Sequence, residues 1–174
     1  MRVADLSRVE RHRAVTETVG VVSVAWVLLL AGYYLHPSRP TSAGGAVVKM
    51  LVGVVIVLVV IALEYPRIVR ARVPQLRAVE VLGVTLPLFF VVFSSIYLSI
   101  GVGAHPMFNV GLDHTKALYF VVTVFSTVGF GDIVPTTDTA RLFVAAQMLL
   151  DLGFIGAVVR VLMVAASRGL ERQS

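Results

Sequence analysis

The sequence predicts an all-α membrane protein: four transmembrane helices, with a shorter segment between the third and fourth that enters the membrane and returns. Three observations carry this. Hydrophobic residues make up 57% of the 174 residues and charged residues only 14%, well short of the roughly 25% usual in a soluble domain. Four apolar runs approach or exceed the roughly 20 helical residues that cross a hydrocarbon core of about 30 Å. A fifth has about half that length and ends in glycine-alternating sequence. This composition speaks against a soluble enzyme and against a disordered chain. The net charge of +5 does not indicate nucleic acid, because the cations form short clusters between apolar runs rather than one basic face. The chain has no cysteine, which excludes a disulfide framework, a thiolate metal site and a cysteine nucleophile.

Residues 1–17 are a basic, cytoplasmic N-terminus. The first span runs from Thr18 to Leu35. It is not a cleavable signal peptide, because Tyr33, Tyr34 and His36 stand where a cleavage site needs small residues. The second span runs from Ala46 to Leu63, with Lys49 able to snorkel to the interface. A loop carrying Arg67, Arg70, Arg72 and Arg77 follows, closing a unit of residues 18–81. A voltage-sensing helix would need arginine at every third position within an apolar run. Here the spacing is irregular and Pro66 and Pro74 interrupt it, so the loop reads as a cytoplasmic anchor. The third span, Leu82 to Ala104, is expected to kink at Pro87. The fourth runs from Thr139 to Ala165, and residues 166–174 form a cytoplasmic C-terminus.

Orientation follows from the cations. With Arg2, Arg8, Arg11 and Arg13 before the first span and Arg160, Arg168 and Arg172 closing the fourth, eleven of the fifteen Lys and Arg residues fall on one side. Arg39, Lys49, Lys116 and Arg141 fall on the other. The positive-inside rule then places both termini in the cytoplasm, and the small size and plain architecture lead us to expect a multi-pass protein of a bacterial plasma membrane. His12, His36, His105 and His114 lie at membrane ends or in loops, where solvation accounts for them. A pH sensor at His105 or His114 is the alternative.

The segment from His105 to Asp138 is no ordinary loop. Lys116 to Phe125 is an apolar stretch of about half the span length, and Asp113 suits its positive end as a cap. Ser126-Thr-Val-Gly-Phe-Gly-Asp132 follows directly, then Pro135. A short helix running into glycine-alternating backbone between two spans describes a re-entrant loop. Such backbone is tolerated at membrane depth only where protein buries it or water lines it.

Thr127 to Asp132, TVGFGD, resembles the selectivity-filter signature of potassium channels. A chance Gly-x-Gly turn is the bland alternative, and six matching residues behind a half-length helix between two spans argue against it. The resemblance covers residues 82–165 as outer helix, pore helix, filter and inner helix, and is silent on the first two spans. It implies a homotetramer in the lipid bilayer, with potassium ions as its only bound group and identical subunits as partners. The carbonyls of Thr127, Val128, Gly129 and Phe130, with the Thr127 hydroxyl, would replace the ion's water shell. Successive inward carbonyls ask alternate residues for angles that glycine adopts with little steric cost, which suits Gly129 and Gly131.

Phe130 departs from the commonest filter, which has tyrosine there, but family members with phenylalanine are also potassium-selective. Tyr119 and Phe120 occupy positions where the family carries tryptophan. Alignment by the filter sets Phe120 against Phe130, an apolar contact in place of a hydrogen bond, and losing both partners is nearly neutral. Tyr119 could donate to Asp132. Thr123 stands where some members carry a buried glutamate. With Ser126, these residues form the expected filter support.

Asp151 lies mid-span, where an ionised side chain is costly and usually marks a pathway. Arg160 is nine residues on and so on the opposite helix face. Asp151 is expected to face an aqueous cavity below the filter. Four such carboxylates would concentrate cations and could bind cytoplasmic magnesium or polyamines, giving inward rectification. A bond to a neighbouring helix, or a neutral protonated acid, are the alternatives. Gly153 and Gly156 read as close helix packing or as a gating hinge, and Ile155 and Val159 as lining the cavity or inner mouth. The expected function is potassium-selective conduction, the alternatives being a less selective cation channel and a non-conducting regulatory subunit. No nucleophile–base pair, Walker loop or metal-ligand cluster supports an enzyme.

Overall fold

The computed structural model describes residues 8–37, 39–71, 74–101 and 107–171. Five helices follow in order: α1 (Arg8–Leu35), α2 (Ala43–Arg70), α3 (Pro74–Gly101), α4 (His114–Phe125) and α5 (Asp138–Glu171). Four contain stretches long and apolar enough to cross a membrane: His12–Leu35, Ala43–Pro66, Leu76–Gly101 and Asp138–Arg160. The 12 residues of α4 make only about 18 Å of helix. Among the described residues the only β-pairing is an isolated bridge between Phe108 and Pro135.

The helices overrun the apolar runs that predict them. In α1 the polar turn before Thr18 stays helical, with Arg13 paired to Glu17 at 2.9 Å and the Thr16 hydroxyl donating to the His12 carbonyl. The Ser42 hydroxyl caps α2, accepting from the Gly45 amide at 3.2 Å. The basic segment after the second span is mostly helix rather than loop, which corrects the sequence reading. Pro66 lies inside α2, and Pro74 opens α3, where a fixed φ and a missing donor suit the first turn. Arg77 bridges the turn, reaching Glu64 at 2.7 Å and Glu80 at 2.6 Å. Arg2, Arg72, Arg172 and His105 lie outside the described residues. Of Arg8, Arg11, Arg67, Arg70 and Arg168 only the backbone is described.

Helix α3 is the hub. In lipid, helices associate through close packing more than through hydrophobic transfer, and small residues allow that approach. A Cβ at Gly83 would come within 2.7 Å of Val22 on α1, and one at Gly53 of α2 would overlap Val92. Along α3, Phe89, Phe90, Phe93 and Tyr97 are buried at helical spacing. Phe89 packs on Phe154 of α5 at 5.1 Å and Phe90 on Phe125 of α4 at 5.1 Å between ring centres. Among the described side chains of α5 the buried ones are Ala140, Phe143, Val144, Gln147, Asp151 and Phe154, all on the stripe that meets this core. Leu142, Met148, Leu149 and Leu152 are exposed on the other side.

Candidate functional site

The site grows from the N-terminus of α4. The Asp113 carboxylate accepts the Lys116 amide at 2.8 Å, closing one of the donors that a helix start leaves open. That backbone bond, followed by the Lys116 side chain, holds the carboxyl below its ordinary range. Helix α1 grips the same end. The Tyr33 hydroxyl donates to the His114 carbonyl at 2.8 Å, Tyr34 meets the Thr115 hydroxyl at 3.3 Å, and both rings pack on the His114 imidazole. The first span is therefore tied to α4, a link that the sequence reading did not anticipate.

The structure corrects the placement of Phe120 against Phe130. A helix turns about 100° per residue, so neighbouring positions 119 and 120 project to different faces. Phe120 enters the α3 core, 5.2 Å from Tyr97 and 5.4 Å from Phe108 between ring centres. Tyr119 is the partner of Phe130, with parallel rings 6.4 Å apart. Tyr119 and Asp132 share one pocket with Thr115 and Lys116.

After Phe125 the backbone leaves the helix but stays bonded to it. The Ser126 amide donates to the Val122 carbonyl at 2.9 Å and the Thr127 amide to Val124 at 3.0 Å. The Val128 and Gly129 amides both donate to the Thr123 carbonyl, at 3.1 and 3.2 Å. Thr123 is buried, and its hydroxyl donates to the Phe120 carbonyl. Ser126 Oγ also donates to the Thr123 carbonyl, at 3.3 Å. Left-handed backbone then recurs at every second residue: Thr127 at φ 59°, Gly129 at 51° and Gly131 at 76°. Glycine bears this at little cost, but a β-branched threonine is strained there; the sequence reading named Thr127 for its carbonyl and hydroxyl but not for this backbone. The carbonyls of Thr127, Val128, Gly129 and Phe130 accept no hydrogen bond from the described residues. Thr127 to Asp132 are all exposed in the single chain.

Beyond the loop a second buttress holds the chain. The Asn109 side-chain amide donates to the Asp132 carbonyl at 2.8 Å, and its oxygen accepts the Val134 amide at 2.8 Å. Backbone bonds from Asn109 to Val134 and from Thr136 to Met107 complete the clasp. Neither Asn109 nor Phe108 was singled out from the sequence. A lone asparagine in a loop gives no signal until its partners are known.

On α5 the structure overturns the cavity reading of Asp151. It is 5% exposed and lies on the stripe that faces the α3 core. The Gln147 amide approaches its Oδ2 at 3.4 Å. The Asp151 Oδ1, Gln147 Oε1 and Tyr97 hydroxyl are buried without hydrogen-bond partners among the described residues. A magnesium or polyamine site at Asp151 loses its geometric basis. Spacing identifies residues that share a face but not which face is open. Ile155 and Val159, about 40° and 80° round the helix from Asp151, are open at 40% and 46% exposure. A Cβ at Gly153 or Gly156 would meet nothing within 4 Å, so neither makes a close helix contact within this chain.

The comparisons with known proteins concern this half of the molecule. Residues 84–168 match the family described as "Ion channel". Over 66 residues, 37% of this chain, the sequence is 38% identical to the voltage-gated potassium channel Kch of Escherichia coli (strain K12). The matched stretch spans 14% of that relative's length. No solved structure gives a significant match. Four apolar helices make this a multi-pass membrane protein, and its residues 84–168 are similar to ion channels, a potassium channel among them.

Proposed function

We propose that the chain is one subunit of a homotetrameric potassium channel of the plasma membrane, with both termini cytoplasmic, passing K+ down its electrochemical gradient. In this reading α4 is a re-entrant pore helix, Thr127 to Gly131 the selectivity filter, and α3 and α5 the outer and inner helices. One observation carries it. Left-handed backbone alternates at Thr127, Gly129 and Gly131 in a loop whose first amides are tied back to α4 and whose carbonyls are unbonded. Uncharged dipoles of this kind can replace a potassium ion's hydration without trapping the ion. The negative end of the α4 dipole lies where the loop begins, which also favours a cation. Each chain supplies one loop, so a ring requires several chains, and the resemblance implies four. Phe130 at 71% exposure and the open apolar side of α5 supply surface for packing between copies.

The test is ion flux into liposomes containing only the purified protein. Flux selective for potassium over sodium supports the proposal. Equal permeability of the two ions replaces it with a less selective cation channel. A folded, assembled protein without flux replaces it with a non-conducting regulatory subunit.

A further inference from the structure

A second site lies outside the conduction path, where α1, α2, α3 and α4 meet at the α4 N-terminal end of the bundle. A cavity of about 380 Å³ is lined there by Tyr33, His36, Arg39, Lys49, Ser99 and His114, with Leu98 on its apolar wall. Its cations come from separate parts of the chain, Arg39 from the α1–α2 connection and Lys49 from α2. The Lys49 ammonium donates to Ser99 Oγ at 2.8 Å, whose own hydrogen goes to the Ser95 carbonyl. The Thr41 amide donates to the Ser99 carbonyl at 3.1 Å, fastening the Arg39 loop to the end of α3. His36 Nδ1 is engaged by the Pro37 carbonyl and His114 Nε2 by the His36 carbonyl.

Charge in this cavity is unbalanced. No carboxylate lines it, and Asp113, next to His114 in sequence, is engaged by Lys116. Arg39 makes no hydrogen bond or ion pair with any described residue, so its five donors remain available, as do two of the three on Lys49. An arginine and a lysine lining one cavity, with donors to spare and no acid among the lining residues, suit a phosphate oxygen. Depth suggests which phosphate. The candidate spans end at Leu35, begin at Ala43 and end at Gly101 on α1, α2 and α3 respectively, so the cavity sits at the level of lipid headgroups. Leu98, Pro37 and the Tyr33 ring give the cavity apolar wall beside the cations.

We propose that this cavity binds a phosphate group, supplied by the headgroup of an anionic phospholipid held between Arg39 and Lys49. Occupancy would bridge α2 and the α1–α2 connection beside the contacts that fix the start of α4. The test uses the full chain in detergent, equilibrated with phosphatidylglycerol or phosphatidylcholine, with retained lipid read by native mass spectrometry. Wild-type protein retains phosphatidylglycerol preferentially. Each cation removed weakens retention about five-fold, so Arg39→Gln with Lys49→Gln loses about twenty-five-fold. Arg39→Gln alone covers the case in which losing the Lys49–Ser99 bond disturbs the fold. Arg13→Gln, in an exposed ion pair far along α1, is the control and retains the wild-type preference. A third arm offers inorganic phosphate alone. Phosphate held in place of phosphatidylglycerol overturns the lipid assignment, and equal retention by wild type and Arg39→Gln overturns the site. The readout is bound lipid rather than current, so either failure leaves the channel reading intact.

Discussion

Gly129→Ala isolates the backbone argument, because a natural control stands nearby. A Cβ at Gly129 would meet nothing within 4 Å, and the same holds at Gly111. Within one chain neither is crowded, and the difference lies in φ: left-handed at Gly129 only. An L-residue held there costs about 1–2 kcal/mol. One chain in isolation absorbs this easily, since native stabilities are about 5–15 kcal/mol. In the proposed ring four copies act on one structure, and the sum of about 4–8 kcal/mol is comparable with the whole. The cheapest escape is rotation of the adjacent peptide, which turns a carbonyl out of the ion's coordination shell while leaving the helices packed. The assay pairs thermal melting with potassium flux in liposomes. Gly111→Ala behaves as wild type in both. Gly129→Ala melts within about 2–8 °C of wild type but loses potassium flux. If Gly129→Ala conducts potassium as Gly111→Ala does, the backbone requirement is refuted.

Three further outcomes follow from named contacts. Asp113→Ala removes the α4 cap and costs about 1 kcal/mol in melting experiments. The Asp113 carboxyl is held below its ordinary pKa of 3.8, so the cap is fully present above that value and is lost as pH falls below it. The wild type–variant difference should therefore stay constant from about pH 5 to pH 8. Tyr33→Phe deletes the hydroxyl that joins α1 to the His114 carbonyl and lowers stability by about 1 kcal/mol. The exposed Tyr34→Phe should cost less, and equal effects would count against a specific Tyr33 clamp. Asp151→Asn keeps an acceptor for Gln147 and should leave the current–voltage relation unchanged. Altered rectification would return Asp151 to the conduction path.

Periodicity and length made the four spans legible, and glycine spacing made the loop legible, because those signals are local. Registration between helices was not. Tyr119 and Phe120 are adjacent in sequence, and only the position of α3 decides that Phe120 is buried against Tyr97 while Tyr119 stacks on Phe130. Asp151 failed for the same reason. Its face of α5 is defined by its neighbours at helical spacing, but whether that face meets α3 or water depends on packing. The left-handed backbone of Thr127 was missed differently, although the residue itself was named. Residue type predicts left-handed backbone at glycine, whereas the alternation that reaches back to a threonine is imposed by bonds from the following amides to Thr123.

Exposed apolar side chains carry little weight on their own in a membrane protein, since lipid covers them as well as protein does. The residues that demand neighbours are polar. Thr127 to Phe130 present four consecutive carbonyls without partners among the described residues, on a loop whose side chains are exposed in the single chain. Hydrocarbon cannot satisfy such groups, and each left bare costs several kcal/mol. Water, an ion or another chain must meet them. Water alone would leave Phe130, at 71% exposure, facing solvent beside them. Packing copies around an axis covers the ring outside and leaves the carbonyls to ions and water inside. Assembly is thereby favoured over a lipid-bathed monomer, and counting subunits by single-molecule photobleaching in bilayers tests it. Stable single chains there would remove the basis for a carbonyl ring.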